Sequence, residues 1–168
     1  FRYNRAYSRL EVRLVEKEKI YSIQMGQKHI KKLGQYFTNY KIASFMCDWA
    51  CTCKGTNNLL DPAVGNSIFF SVAKQKCLGC KFVGYEIDDS ILSFFGNPTD
   101  AEIRNEDYLL SDWEEKYSSI VCNPPYNRFQ AVDNRKEILD IFYKHTKVKY
   151  SGYTNQYILF LIKSVYQL

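Results

Sequence analysis

Residues 58–70 read Asn58-Leu59-Leu60-Asp61-Pro62-Ala63-Val64-Gly65-Asn66-Ser67-Ile68-Phe69-Phe70. A short apolar run ends in an acid, a Pro- and Gly-containing turn follows, and a second apolar run begins. The order predicts a buried strand over 58–61, a tight turn over 62–67 and a helix over 68–74. Related units recur downstream. Residues 81–87 predict a second strand ending in acids, with a short helix after it through Ile91, Leu92 and Phe94 to Gly96. Residues 101–105 predict a third, edge strand, and 118–123 a fourth, closed by Pro124 and Pro125. Helices are expected over 134–148 and 154–168. Strands alternating with helices imply a parallel sheet covered on both faces, a doubly wound α/β fold.

Upstream of this unit, residues 5–32 predict a helix whose apolar positions, Leu10, Val12, Leu14, Val15 and Ile20, form an incomplete face among charges. Gly26 and Gly34 punctuate it, and Thr38 and Asn39 are candidate caps for a helix over 40–52. In that second helix Ile42, Phe45, Met46 and Trp49 share one face, which is expected to be buried core. The chain divides into a helical arm, 1–32, and an α/β domain, 33–168. Four strands are few for such a sheet, and the apolar segment 157–162 lies close to residue 168. The domain is therefore expected to be partial.

Composition narrows the function classes. Of 168 residues 46% are hydrophobic and 24% charged, which fits a globular protein and excludes wholesale disorder. No apolar run approaches the roughly 18 residues of a membrane span, and no secretory leader is visible. No membrane partner is expected, and the expected compartment is the cytoplasm. The net charge of +5 is unevenly placed: residues 1–32 carry nine Lys/Arg against three Glu, and residues 33–168 fourteen against fifteen Asp/Glu. Such an arm could draw in phosphate backbones by releasing counterions, or it could be a solvated helix face. The six cysteines include Cys77-Leu-Gly-Cys80 and the pair Cys51 and Cys53, whose spacing does not supply two zinc knuckles. They are expected to be reduced, and no metal is expected.

In doubly wound sheets ligands sit at the carboxyl ends of the strands. The chemically unusual residues fall there. Asp61 closes the first strand, and Gly65 in the following turn lets backbone approach a ligand. No Gly-Lys-Ser/Thr follows, so the turn is not a Walker-type phosphate cradle. Glu86 closes the second strand 25 residues beyond Asp61, near the spacing at which an acid accepts from a ribose diol. Asp107 follows the third strand, where its carboxylate can accept from an adenine amine. An adenosine-bearing ligand accounts for all three acids. Asn123-Pro124-Pro125-Tyr126 closes the fourth strand. There the Asn123 side-chain oxygen and the Pro124 carbonyl form a pair of acceptors suited to an –NH2 group, and Tyr126 offers a flat face for its ring.

The chain resembles the catalytic core of S-adenosylmethionine-dependent N6-adenine DNA methyltransferases of the gamma motif order. Gly34-Gln35-Tyr36-Phe37-Thr38 matches that family's leading cofactor motif, and Asp61 to Phe69 its Gly-rich motif, with Ser67 where the family carries a second Gly. The resemblance implies a Rossmann-like methyltransferase fold with S-adenosylmethionine as cofactor. It implies cofactor binding by Gln35, Tyr36, Phe37, Thr38, Asp61, Pro62, Ala63, Gly65, Glu86 with Ile87, Asp107 with Tyr108, and Asn123. Asn123, Pro124, Pro125 and Tyr126 would form the catalytic motif. The implied partner is double-stranded DNA with a flipped adenine. Base recognition would come from a target-recognition region beyond residue 168 or a separate specificity subunit, in a bacterial or archaeal restriction-modification enzyme. Alternatives are a methyltransferase acting on a protein glutamine amide and a cofactor-binding fragment or modification subunit without transfer activity. A type II methyltransferase–nuclease fusion is a candidate parent, with the basic arm linking to what precedes it.

Overall fold

The computed structural model describes residues 4–52, 55–97, 100–127, 132 and 134–168, with side chains described from residue 11. Cys53 and the side chain of Leu10 fall outside the described set. The elements are α1 (Asn4–Leu33), α2 (Tyr40–Thr52), β1 (Asn58–Asp61), α3 (Ile68–Ala73), β2 (Lys81–Tyr85), α4 (Asp89–Phe95), β3 (Glu102–Arg104), β4 (Ser119–Ile120), α5 (Arg135–Thr146) and α6 (Gln156–Gln167). Their order and type follow the sequence expectation, with bounds shifted by a residue or two at most ends. The largest difference is β4, where pairing is confined to two residues before the Pro-bearing segment begins.

All strand pairs are parallel, in the order β3-β2-β1-β4. The predicted edge strand β3 does lie at an edge, and its Glu102 and Arg104 pair with each other, charges that discourage further strand addition. Alternate residues of β1 and β2 face opposite sides, as the pleat requires. Leu59 and Phe82 join α2, α3 and the turn residue Val64 in one core. Leu60 and Val83 join Tyr108, Trp113, α5 and α6 in the other. Both faces are thus buried, the arrangement that makes parallel strands read as continuous apolar runs.

Gly84 permits the turn after β1 to seat. A Cβ there would lie 2.3 Å from Val64 Cγ2 and 2.9 Å from Phe70. The turn is held to β2 by the Val64 N–H, which donates to the Tyr85 carbonyl at 3.0 Å.

Two expectations are corrected. On α2 the buried residues are Tyr40, Ala43 and Cys47, whereas Ile42, Phe45 and Trp49 are 56%, 71% and 80% exposed and Met46 is half-buried. Small side chains let α2 lie close to α3, a choice between helix faces that periodicity alone does not make. The cysteines are not all reduced: Cys51 and Cys77 form a disulfide with Cα atoms 5.5 Å apart, joining the end of α2 to the loop after α3. Packing of α2 on α3 brings together thiols 26 positions apart, so Cys77 belongs to a bridge rather than to a CxxC pair. Cys47, Cys80 and Cys122 are free.

The helix α1 breaks at Gly26 (φ 77°, ψ 155°). Its Tyr21 is fully buried and packs against Phe37, Phe94 and Phe95, while Arg13, Lys17, Lys19, Lys28, Lys31 and Lys32 stay exposed. No described helix is long and apolar enough to cross a membrane.

Candidate active site

At the carboxyl end of the sheet lies a cavity of about 400 Å³, within the roughly 300–1,000 Å³ of small-molecule sites. Of the residues singled out from sequence, Gln35, Tyr36, Phe37, Pro62, Ala63, Gly65, Glu86, Ile87, Asp107, Tyr108, Asn123 and Pro125 line it. Thr38, Asp61, Pro124 and Tyr126 do not. Thr38 lies against Asn123 and lines a smaller neighbouring cavity. Asp61 is fully buried behind the turn.

The turn over 62–67 is built from two left-handed residues, Gly65 (φ 54°) and Ser67 (φ 60°, ψ 26°). Ser67, the departure from the Gly-rich motif, therefore occupies a backbone conformation that a glycine adopts without penalty. The Asp61 carboxylate holds the start of the turn through Oδ1, which accepts from the Ala63 N–H at 3.1 Å. Its Oδ2 is buried with no hydrogen-bond partner. Burial, opposed by the Ala63 bond and reinforced by the Glu86 charge, pushes the Asp61 carboxyl up to about 8.

Glu86 sits at the end of β2 with its two oxygens differently engaged. Oε2 accepts from the Gly65 N–H at 2.8 Å and Oε1 from the Asp88 N–H at 2.9 Å. Burial raises its carboxyl above the usual range, and these N–H donors pull against the rise. Each oxygen keeps acceptor capacity. Asp107 is arranged alike: Oδ1 accepts from the Leu109 N–H at 2.9 Å, and burial raises the carboxyl. Tyr108 forms apolar wall. Its hydroxyl donates to Gln167 Oε1 at 2.7 Å, and its ring packs against Tyr85 and Phe160.

Asn123 has its amide orientation set by the residues of the leading motif. Nδ2 donates to the Tyr36 carbonyl at 2.9 Å and to Thr38 Oγ1 at 3.0 Å. Both amide hydrogens are thereby committed, which fixes Oδ1 as the acceptor face of the group. Oδ1 accepts from the Tyr126 hydroxyl at 2.9 Å. Thr38 thus bonds the Asn123 side chain, and the cap of α2 falls to Asn39, whose Oδ1 accepts from the Lys41 N–H at 2.9 Å.

Several contributors were not visible in sequence. Asn127 Nδ2 donates to the Lys32 carbonyl at 2.7 Å, stapling the end of α1 to the segment that follows Asn123. Gly34 (φ 62°) makes room for it, since a Cβ would meet Asn127 Cγ at 2.9 Å. From α6, Gln156 and Phe160 line the cavity. Lys163, fully buried on the same helix, donates to the Ser111 carbonyl at 2.8 Å and its hydroxyl at 2.9 Å, fastening the loop that carries Asp107. Asp88 joins α1 to the cavity wall. The nearest sequence signal for it was the acidic run Glu86-Ile87-Asp88, which marked a strand end but not a hub.

The donor and acceptor set on the cavity wall fits S-adenosylmethionine: Glu86 and Asp107, each with acceptor capacity to spare, stand on either side of a glycine-opened turn and apolar wall. Comparison with known proteins agrees. The family description N-6 DNA Methylase matches residues 19–168. The chain belongs to the N-6 DNA methylase family. It is 37% identical over 157 residues to the Type II methyltransferase M.AccI of Acinetobacter calcoaceticus, covering 90% of this chain and 28% of that relative. With the Type II methyltransferase M.HincII of Haemophilus influenzae it shares 31% identity over 139 residues, covering 81% and 26%. Among solved structures, the methyltransferase subunit of a type I restriction-modification system from Streptococcus thermophilus matches with a TM-score of 0.61 and 20% identity, over 80% of this chain and 32% of that one. That likeness supports the Rossmann-like α/β fold. The chain spans little more than a quarter of the length of the curated N-6 DNA methylase relatives it matches.

Proposed function

We propose that this chain forms the cofactor-binding and catalytic core of a DNA methyltransferase that modifies N6 of adenine within a restriction-modification system. The carrying observation is the Asn123 amide, which the leading motif orients at the same cavity that Glu86 and Asp107 line.

S-adenosylmethionine supplies the methyl group on a sulfonium. Glu86 accepts from the ribose hydroxyls and Asp107 from the adenine amine of the cofactor, while Asp61, buried behind the turn, holds Ala63 in place for the methionine end. Asn123 Oδ1 and the Pro124 carbonyl accept from the two hydrogens of the target amine. That pairing favours a pyramidal nitrogen and stabilises positive charge as it develops there, which is preorganised electrostatics. Alignment of nitrogen, carbon and sulfur contributes through orientation. The neutral amine needs no general base before transfer: its nitrogen would bond the methyl as the sulfur–methyl bond breaks, with S-adenosylhomocysteine as leaving group, and the cationic nitrogen would then release its proton to water.

The substrate is double-stranded DNA with the adenine turned out of the stack, at a cost of a few kcal/mol. Stacking on Tyr126 returns about 1–3 kcal/mol. Sequence recognition belongs to a further region or a specificity subunit, and the exposed lysines of α1 contribute phosphate contacts.

Transfer of labelled methyl from S-adenosylmethionine to duplex DNA tests the reading in the full-length protein. Asn123→Ala is expected to abolish transfer while cofactor binding persists. Retention of wild-type turnover would remove the amine-orienting role.

A further inference from the structure

Asp88 lies two residues past Glu86 and outside every motif quoted above. It is buried, and its two oxygens serve different parts of the chain. Oδ1 accepts from the Ser90 N–H at 3.0 Å, capping α4. Oδ2 takes three side-chain partners: the Tyr21 hydroxyl at 2.8 Å, the Gln35 amide at 2.6 Å and His29 Nε2 at 2.9 Å. Tyr21 and His29 come from α1, on either side of its break at Gly26, and Gln35 from the motif that lines the cavity. The Asp88 N–H in turn donates to Glu86 Oε1.

Three segments therefore meet on one carboxylate, and the backbone of the same residue orients the acid at the ribose position. Burial works against the Asp88 charge, but the donors from His29, Tyr21 and Gln35 outweigh it and hold the carboxyl below its usual range. The group stays ionised, so each bond to it is charge-assisted and stronger than a neutral one. Cluster members that act through one another respond non-additively to substitution, whereas independent supports of the fold respond additively.

We propose that Asp88 is a positioning residue for cofactor binding, locking α1 and the Gln35–Thr38 segment to the cavity wall and fixing Glu86 through its backbone N–H. The proposal rests on the reading of the cavity as an S-adenosylmethionine site. It assigns the N-terminal helix a role in cofactor affinity that its basic composition does not suggest.

Titration calorimetry with S-adenosylmethionine on the full-length protein tests it, using Glu86→Gln, Asp88→Ala, Asp88→Asn and the Glu86→Gln/Asp88→Ala pair. Asp88→Ala is expected to weaken binding about tenfold, the loss of a set of charge-assisted bonds. Asp88→Asn keeps the cap and an acceptor and is expected to recover part of that loss. The losses at Asp88 and Glu86 are expected to combine to well below their product. Losses that multiply in full, or an Asp88→Ala protein that binds as tightly as wild type, would overturn the positioning role while leaving the site assignment standing. Unchanged affinity in Glu86→Gln would instead overturn the site assignment. Should Asp88→Ala not fold, the cycle is run with Asp88→Asn, where full multiplication overturns the proposal in the same way.

Discussion

The Tyr126 hydroxyl donates to Asn123 Oδ1 at 2.9 Å, the acceptor proposed for the target amine. Tyr126 is 59% exposed, meets Tyr36 edge-on with ring centroids 5.8 Å apart and lies 6.5 Å from the ring of Tyr157. The hydroxyl takes one of the two lone pairs of Oδ1, so on the proposed reading it competes with the amine of an incoming base for that oxygen. On that reading one residue is both a donor to Oδ1, through its hydroxyl, and a stacking face for the base, through its ring.

Substitution separates these two roles. Tyr126→Phe removes the competing donor but keeps the ring, so single-turnover transfer to duplex DNA is expected to be equal to wild type or a few-fold faster. Tyr126→Ala loses the stacking face, worth about 1–3 kcal/mol, and is expected to lower kcat/KM by tenfold or more. A Phe variant as impaired as the Ala variant would show that the hydroxyl itself is needed for transfer.

The raised carboxyl of Asp61 sets a pH dependence of stability. Its ordinary value is 3.8 and in the folded chain it stands at about 8, so the folded state holds a proton that the unfolded state releases. This group's contribution is complete below 3.8, declines as pH rises, and is lost once pH passes about 8. Asp61→Asn mimics the protonated form and does not titrate. Denaturation of both proteins from pH 5 to 8.5 should show the stability difference moving steadily in favour of the Asp61→Asn variant as pH rises, and parallel curves would contradict it.

Gly84→Ala forces a methyl group into the space held by Val64 and Phe70. Overpacking of this kind costs about 1–3 kcal/mol, and here relief would displace the turn that carries Ala63 and Gly65. Lowered melting temperature together with weakened S-adenosylmethionine binding is expected. Truncating Val64 in the same protein should restore part of both.

Reduction of the Cys51–Cys77 disulfide opens a loop of 26 positions. Chain entropy sets the expected destabilisation at about 3 kcal/mol. Chemical denaturation of the Cys51→Ser/Cys77→Ser protein checks the size, and thiol titration of the unreduced protein checks that the pair is bridged.

Much of the fold was legible because strands buried on both sides must read as continuous apolar runs. Leu59-Leu60 and Phe82-Val83 identify themselves in that way, and the acids and turn residues that follow them mark one end of the sheet. The face of α2 was not legible. Ile42, Phe45 and Trp49 have the periodicity of a core stripe as clearly as Tyr40, Ala43 and Cys47 do, and the choice between them depends on how closely a neighbouring helix approaches.

For the site, the one-dimensional pattern established which chemical groups stand at the strand ends: Asp61, Glu86, Asp107 and Asn123. It did so because parallel strands with crossover helices deliver all their carboxyl ends to one edge. Folding alone settled how those groups are aimed. The rotation of the Asn123 amide comes from Tyr36 and Thr38, 87 and 85 positions away, and the three donors on Asp88 come from 53 to 67 positions away. Hydrogen bonds of that span depend on the relative placement of whole elements, a property of packing to which local composition is blind.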